Sequence, residues 1–152
     1  MTDYRAYLFG LAPGVVVLAV GPAMALGLPS FVQVALGPVH YLGLVAVLGG
    51  LGFAGWAVHA FARADEPPSH TCTPGTLVTD GPLSYSRNPI YLGTVVAALG
   101  EALLFESVLL AGYGLALWAV YHVLVVVREE PELRAALGER YETYSDRVPR
   151  WF

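Results

Sequence analysis

Lysine is missing from the 152 residues, so all eight basic side chains are arginines, and cysteine occurs once, at Cys72. One thiol excludes an intrachain disulfide framework and any multi-cysteine zinc site. With no His or Asp spaced to activate it, Cys72 reads as a lone loop thiol rather than a nucleophile. No pair among the four histidines has ligand spacing, so no metal is expected. Charge is scarce as well, at 13% of residues, and a net charge of −4 argues against a nucleic-acid partner. What the chain does have is apolar sequence: 56% of it is hydrophobic, in long runs separated by short polar clusters. That pattern belongs to a chain solvated by lipid rather than one folded around a water-facing surface.

Four apolar stretches, 7–28, 39–61, 90–105 and 107–127, are each long enough to cross or nearly cross a bilayer. The first is too long for a signal-peptide core, so it is expected to stay as a span. The third is short, and Pro89 suits the first position of its helix. Only Glu106 separates the third from the fourth, which implies a tight helical hairpin. After the fourth, Leu133 and Leu137 stand four apart in a short amphipathic helix stopped near Gly138, and Tyr141 and Tyr144 mark a second. The expected fold is one all-α domain over 1–152: an integral membrane bundle of about four transmembrane helices, a cytosolic loop between the second and third, and C-terminal amphipathic helices in 128–152.

The arginines agree with that count. Arg5 precedes the first stretch, Arg63 and Arg87 flank the loop between the second and third, and Arg128, Arg134, Arg140, Arg147 and Arg150 follow the fourth. None falls in 29–38 or at Glu106. Four spans place every arginine on one face, and the positive-inside rule makes it cytosolic, with both termini. This fixes orientation and not activity. The cluster Gly49, Gly50, Gly52, Ala54 and Gly55 lets helices approach closely. It is no phosphate loop, lacking a preceding strand and a lysine.

The polar chemistry sits at the cytosolic ends. Arg87 stands immediately before Asn88-Pro89, where a loop enters a helix, and so presents a fixed cationic fork beside free backbone amides. Such a place binds a carboxylate; the plainer alternative is a positive-inside anchor. Glu129 and Glu130 leave the fourth stretch, and neighbours on a helix point about 100° apart, so at most one is expected to face a common pocket while the other meets water or Arg128. The hairpin brings both groups to one face. Together they offer a cation for a carboxylate and carboxylates for an ammonium or a ribose hydroxyl, a set that suits an amino-acid-bearing nucleoside. Glu101, inside the third stretch, is either functional or snorkels to the far interface. His59 and His122 either line the pocket or are structural, and His40 belongs to the opposite face.

From Leu77 onward the chain resembles the isoprenylcysteine carboxyl methyltransferase family and the related phospholipid methyltransferases. Three ordered blocks carry the likeness: Leu77-Val78-Thr79-Asp80-Gly81-Pro82, Arg87-Asn88-Pro89-Ile90-Tyr91-Leu92-Gly93, and Glu129-Glu130-Pro131-Glu132-Leu133 with Gly138-Glu139-Arg140-Tyr141-Glu142-Thr143-Tyr144 and Arg147-Val148-Pro149-Arg150. The resemblance implies S-adenosyl-L-methionine as cofactor, held by Thr79, Gly81, Arg87, Asn88, Pro89, Tyr91, Glu129 and Glu130, with Arg87, Glu129 and Glu130 as the catalytic set. Tyr85, His70 or a backbone group is expected to stand in at the cofactor for a family histidine missing at Asp80. Asp80 stands where the family often has histidine, and Leu83 where it often has an aromatic residue.

Methyl transfer is an in-line displacement, governed by positioning and desolvation. A carboxylate acceptor needs no base at neutral pH, whereas a thiol or amine does, with Glu129, Glu130 and His122 as candidates. A pocket at the membrane surface favours a lipophilic acceptor: a prenylcysteine, a lipid or a small thiol or amine. Membrane lipids are the other expected partners, and a homo-oligomer is compatible with the sequence. The absence of lysine amid abundant Ala, Gly, Val and Arg points to a GC-rich microbial genome and hence to a prokaryotic plasma membrane. Two other readings stay open: an NADPH-dependent reductase like the membrane sterol reductases, which resemble the same C-terminal region, and a non-catalytic helical bundle.

Overall fold

The computed structural model describes residues 34–64 and 77–152, together with Ala19, Gly21, Ala23 and Gly27, which are helical. The rest of the expected first span, 7–28, lies outside the described residues, as do Arg5, His70 and Cys72. Among the described residues the fold is all-helical, with no β-strand. A 3-10 turn, Gly37–His40, leads into α1 (Tyr41–Arg63). A second, Gly81–Ser84, precedes α2 (Pro89–Leu104), and α3 (Val108–Leu124), α4 (Glu130–Leu137) and α5 (Glu139–Ser145) follow.

Two helical stretches, Gly37–Arg63 and Val108–Leu137, are long and apolar enough to cross a membrane, and α2 is a shorter apolar helix of 16 residues. Only 22% of the apolar window of each long helix is buried in the protein. The core helix of a water-soluble domain hides its apolar face, whereas these leave Leu44, Leu48, Leu115, Val120 and Val123 outward.

Glycine sets how α1 and α2 meet. Gly43 and Gly50 of α1 oppose Gly100 and Gly93 of α2 in antiparallel order, and a Cβ on any of the four would run into the backbone of the facing helix. Lipid tails are as apolar as the side chains, so close backbone approach is the main attraction available. The hairpin between α2 and α3 is as tight as the sequence predicts. Glu106 turns the chain at φ 53°, and the Ser107 hydroxyl caps α3 by accepting from the Leu110 amide at 3.3 Å. At the same end the Val34 amide donates to the Glu106 carbonyl at 2.8 Å and the Leu36 amide to its carboxylate at 2.7 Å, so the start of the α1 segment and the hairpin lie together, opposite Arg87 and Arg128.

Two expectations change. The helix of the fourth stretch does not end near Val127; it runs on through a π-helical turn, Val125–Glu129, into α4, making one helix of 30 residues. Gly138, at φ 55°, then stops it at the position the sequence marks. Glu101 does not snorkel either: it is 3% exposed, one carboxylate oxygen has no hydrogen-bond partner among the described residues, and Gly21 abuts it so closely that a Cβ there would overlap the carboxyl group.

Candidate active site

Arg87 sits at the entry to α2, where Pro89 occupies the first turn and leaves no amide there to satisfy. Its own amide donates to the Pro149 carbonyl at 3.0 Å, so the segment after α5 folds back over the loop. The Ser86 hydroxyl, at 3.3 Å, and the Asn88 side-chain amide, at 3.0 Å, both donate to the Arg150 carbonyl. Three consecutive loop residues are thereby fixed by two residues of the tail.

The side chain of Arg87 is 11% exposed and reaches the almost fully buried carboxylate of Glu130 at 3.1 Å; the same nitrogen donates to the Tyr141 hydroxyl at 3.1 Å. Glu130 also accepts two hydrogen bonds from Arg150, Nε to Oε1 at 2.6 Å and Nη2 to Oε2 at 2.9 Å. Arg134 completes the group at 3.7 Å. Burial alone would push the Glu130 carboxyl up, but the Arg150 hydrogen bond and the charges of Arg87, Arg150 and Arg134 outweigh it and hold the group below the usual carboxylate range. Three guanidinium groups around one carboxylate leave the cluster with excess positive charge. The Nε of Arg87 is buried and without a hydrogen-bond partner among the described residues.

One helical turn into α2, the Tyr91 hydroxyl donates to Glu129 at 2.7 Å in a buried contact, and the Tyr91 ring stacks on Tyr121 at 4.3 Å between centroids. The sequence expectation for the acid pair is therefore corrected. Both glutamates are buried and each has a partner on the entry to α2, while Arg128 pairs with exposed Glu132 instead. The π-helical turn ending at Glu129 makes this possible: its wider turn re-aims successive side chains, and such turns recur at functional sites.

The other expected residues divide. Asn88 and Pro89 form the loop just described. Gly81 takes φ 62°, a conformation that favours glycine, and its Cα faces the indole of Trp56. Thr79 is half-buried two residues earlier, whereas Tyr85 is 65% exposed and its ring lies against Trp56. His122 accepts from the Trp151 indole at 3.2 Å and so has a structural partner, and His59 is exposed. Tyr141, Arg134 and Arg150 were not among the expected site residues. Tyr141 and Arg150 stand in the blocks that carry the family resemblance and Arg134 has only the signal of an arginine in an amphipathic helix, but nothing in the spacing says that the tail returns to the loop. Among the described residues no cluster of His, Cys, Asp and Glu is suited to a metal ion.

A profile of the phospholipid methyltransferase family matches residues 38–140. Two curated relatives are similar, both called protein-S-isoprenylcysteine O-methyltransferase. The Schizosaccharomyces pombe protein is 40% identical over 76 residues, covering 48% of this chain and 31% of that protein. The Xenopus laevis protein is 33% identical over 97 residues, covering 63% of this chain and 32% of that protein. The chain thus matches about a third of the length of these relatives. No solved structure matches it. The profile takes in α1 to α4, the entry loop and both glutamates, which is well over half of the sequence, and the chain belongs to the phospholipid methyltransferase family.

Proposed function

We propose that this protein is an integral membrane methyltransferase that uses S-adenosyl-L-methionine and methylates a carboxylate on a lipophilic acceptor, as the names of its isoprenylcysteine relatives suggest. Four spans with both termini cytosolic put the site at the cytosolic surface. The observation that carries the reading is the buried Nε of Arg87, without a partner among the described residues, within a cluster of net positive charge and one helical turn from the Glu129 carboxylate. A guanidinium with a spare buried donor suits the carboxylate of an amino acid, and a carboxylate nearby suits its ammonium or a ribose hydroxyl.

When bound, S-adenosylmethionine supplies an electrophilic methyl group on a sulfonium. Arg87, Asn88 and Glu129 are the residues to hold it, with Thr79 and Gly81 at the loop side. Arg87 binds and orients a carboxylate. Glu129, held by the Tyr91 hydroxyl, contributes a fixed negative charge. Glu130 holds the guanidinium groups in place rather than accepting a proton, because both its oxygens are engaged by arginine. This favours a carboxylate acceptor, already ionised at neutral pH, over a thiol or amine that must lose a proton to a base. The outward apolar side chains of Val126 and Val127, just below the site, favour an acceptor arriving from the bilayer.

Purified protein in detergent is expected to bind S-adenosylhomocysteine saturably in calorimetry and to move tritium from labelled S-adenosylmethionine onto a prenylcysteine analogue, without oxidising NADPH. NADPH oxidation with no tritium transfer would overturn the assignment in favour of a reductase. Absence of any nucleoside binding would leave a non-catalytic bundle.

A further inference from the structure

The segment after α5 touches the site twice through one residue. The carbonyl of Arg150 accepts from Ser86 and Asn88, on either side of Arg87, while its guanidinium takes Glu130 side-on with two short hydrogen bonds. Arg87, by contrast, reaches Glu130 through a single nitrogen at 3.1 Å, and its Nε has no hydrogen-bond partner among the described residues. That division is unexpected. A carboxylate and a guanidinium buried side by side readily close into a fork with two parallel bonds, which here would add the second terminal nitrogen of Arg87 to Glu130 and cancel more of its charge.

We infer that Arg150 is a positioning residue that keeps Arg87 available to a ligand carboxylate by occupying Glu130 itself. The inference rests on the reading of Arg87 as the receptor for the amino-acid carboxylate of the nucleoside cofactor. With both Glu130 oxygens engaged by Arg150, Arg87 is positioned by the acid without being satisfied by it. An unpaired buried donor is costly and is relieved by an acceptor brought in from outside. Arg134 does not replace Arg150, since it stands 3.7 Å away and its side chain is half exposed.

The test compares S-adenosylhomocysteine with 5′-methylthioadenosine, which keeps the nucleoside and lacks the amino-acid carboxylate, by calorimetry on the full chain in detergent. In Arg150→Met the Glu130 fork is free to close on Arg87. Affinity for S-adenosylhomocysteine is expected to fall about tenfold or more, the loss of one charge-assisted contact, with 5′-methylthioadenosine changed less than about twofold. Adding Glu130→Gln to Arg150→Met releases Arg87 and is expected to recover most of the loss. Equal weakening of both ligands would overturn the proposal and make the tail a scaffold only. A selective loss without recovery in the double variant would overturn it too, because Arg150 would then touch the ligand itself. Should Arg150→Met fail to fold, Arg150→Lys carries the comparison: it keeps the charge but not the fork, and an unchanged ratio of the two affinities overturns the proposal. If the unmodified protein binds neither nucleoside, the methyltransferase reading fails first, and with it this inference.

Discussion

Tyr91 and Glu129, 38 residues apart in sequence, share a buried 2.7 Å hydrogen bond that ties the first full turn of α2 to the end of the π-helical turn below α4. Arg87 and Tyr91 are four residues apart, as are groups that share one face of a helix, and the adjacent acids Glu130 and Glu129 answer them in that order. The site is in this sense a two-rung ladder between two helices. Its upper rung is an ion pair, and its lower rung is a tyrosine on a carboxylate.

The lower rung is expected to be worth about 1 to 3 kcal/mol, the range for a hydrogen bond to a charged, buried acceptor. Tyr91→Phe keeps the ring and its stack on Tyr121, so its loss of thermal stability in detergent reports on the hydroxyl alone. Combined with Glu129→Gln, the two substitutions are expected to fall short of additivity by about 1 kcal/mol. Strict additivity would mean that the two side chains do not depend on each other.

Glycines along α1 are expected to divide by what they face. Gly50→Ala or Gly93→Ala places a methyl against the carbonyl of the opposing glycine, on backbone that cannot step aside, and costs about 1 to 3 kcal/mol as overpacking. Gly49→Ala and Gly52→Ala meet nothing within 4 Å and are expected to be neutral or to gain up to about 1 kcal/mol from helix propensity. Midpoints of thermal unfolding decide; equal effects at Gly49 and Gly50 would contradict the packing.

These helices were legible because hydropathy, Pro89 and Gly138 are local signals, and the hairpin because a single polar residue interrupts its two apolar runs. The meeting of Arg87 with the acid pair was legible as well, since a short hairpin brings the outer ends of its two helices to one face. The π-helical turn was not. It leaves no mark in Val125–Glu129, whose side chains would suit an α-helix equally, and without it one acid of the pair is bound to point outward. Nor was Arg150 legible. It stands 20 residues from Glu130 in a tail whose path is set by Tyr144, whose hydroxyl donates to the Leu83 carbonyl at 2.7 Å, and by packing of Tyr141, Tyr144 and Val148 on Leu77, Leu133 and Leu137.

The two glutamates flanking Pro131 are expected to respond very differently to neutralisation. Glu130→Gln leaves Arg87 and Arg150 without their shared carboxylate in a buried setting, a change that costs about 3 to 5 kcal/mol. Glu132 pairs with Arg128 four residues earlier, with both side chains more than half exposed, and Glu132→Gln is expected to cost about 0 to 1 kcal/mol. Denaturation midpoints of the two variants side by side test this. A mild Glu130→Gln variant would show that the cluster is held by its backbone contacts and not by the acid.

Three groups of the polar C-terminal segment set the expected dependence of stability on pH. Glu130 is held below its ordinary value of 4.5, because the arginines overcome the effect of burial. As pH falls the unfolded chain takes up this proton first, so the contribution of Glu130 is complete above about 4.5 and is lost on further acidification through its folded value. Tyr141 has the opposite sign. Burial raises it above its ordinary 10.0, with the Arg87 hydrogen bond only partly offsetting that, so its contribution is complete below 10.0 and is lost as pH rises through the folded value. Tyr144, also raised by burial, adds to the alkaline limb. These groups should therefore lower the melting temperature on acidification below about 4.5 and on alkalinisation above 10.0. Glu130→Gln is expected to flatten the acid side and Tyr141→Phe to soften the alkaline side. An acid limb unchanged by Glu130→Gln would place the titrating carboxylate elsewhere, and the arginine cluster would then not be what loses its charge balance in acid.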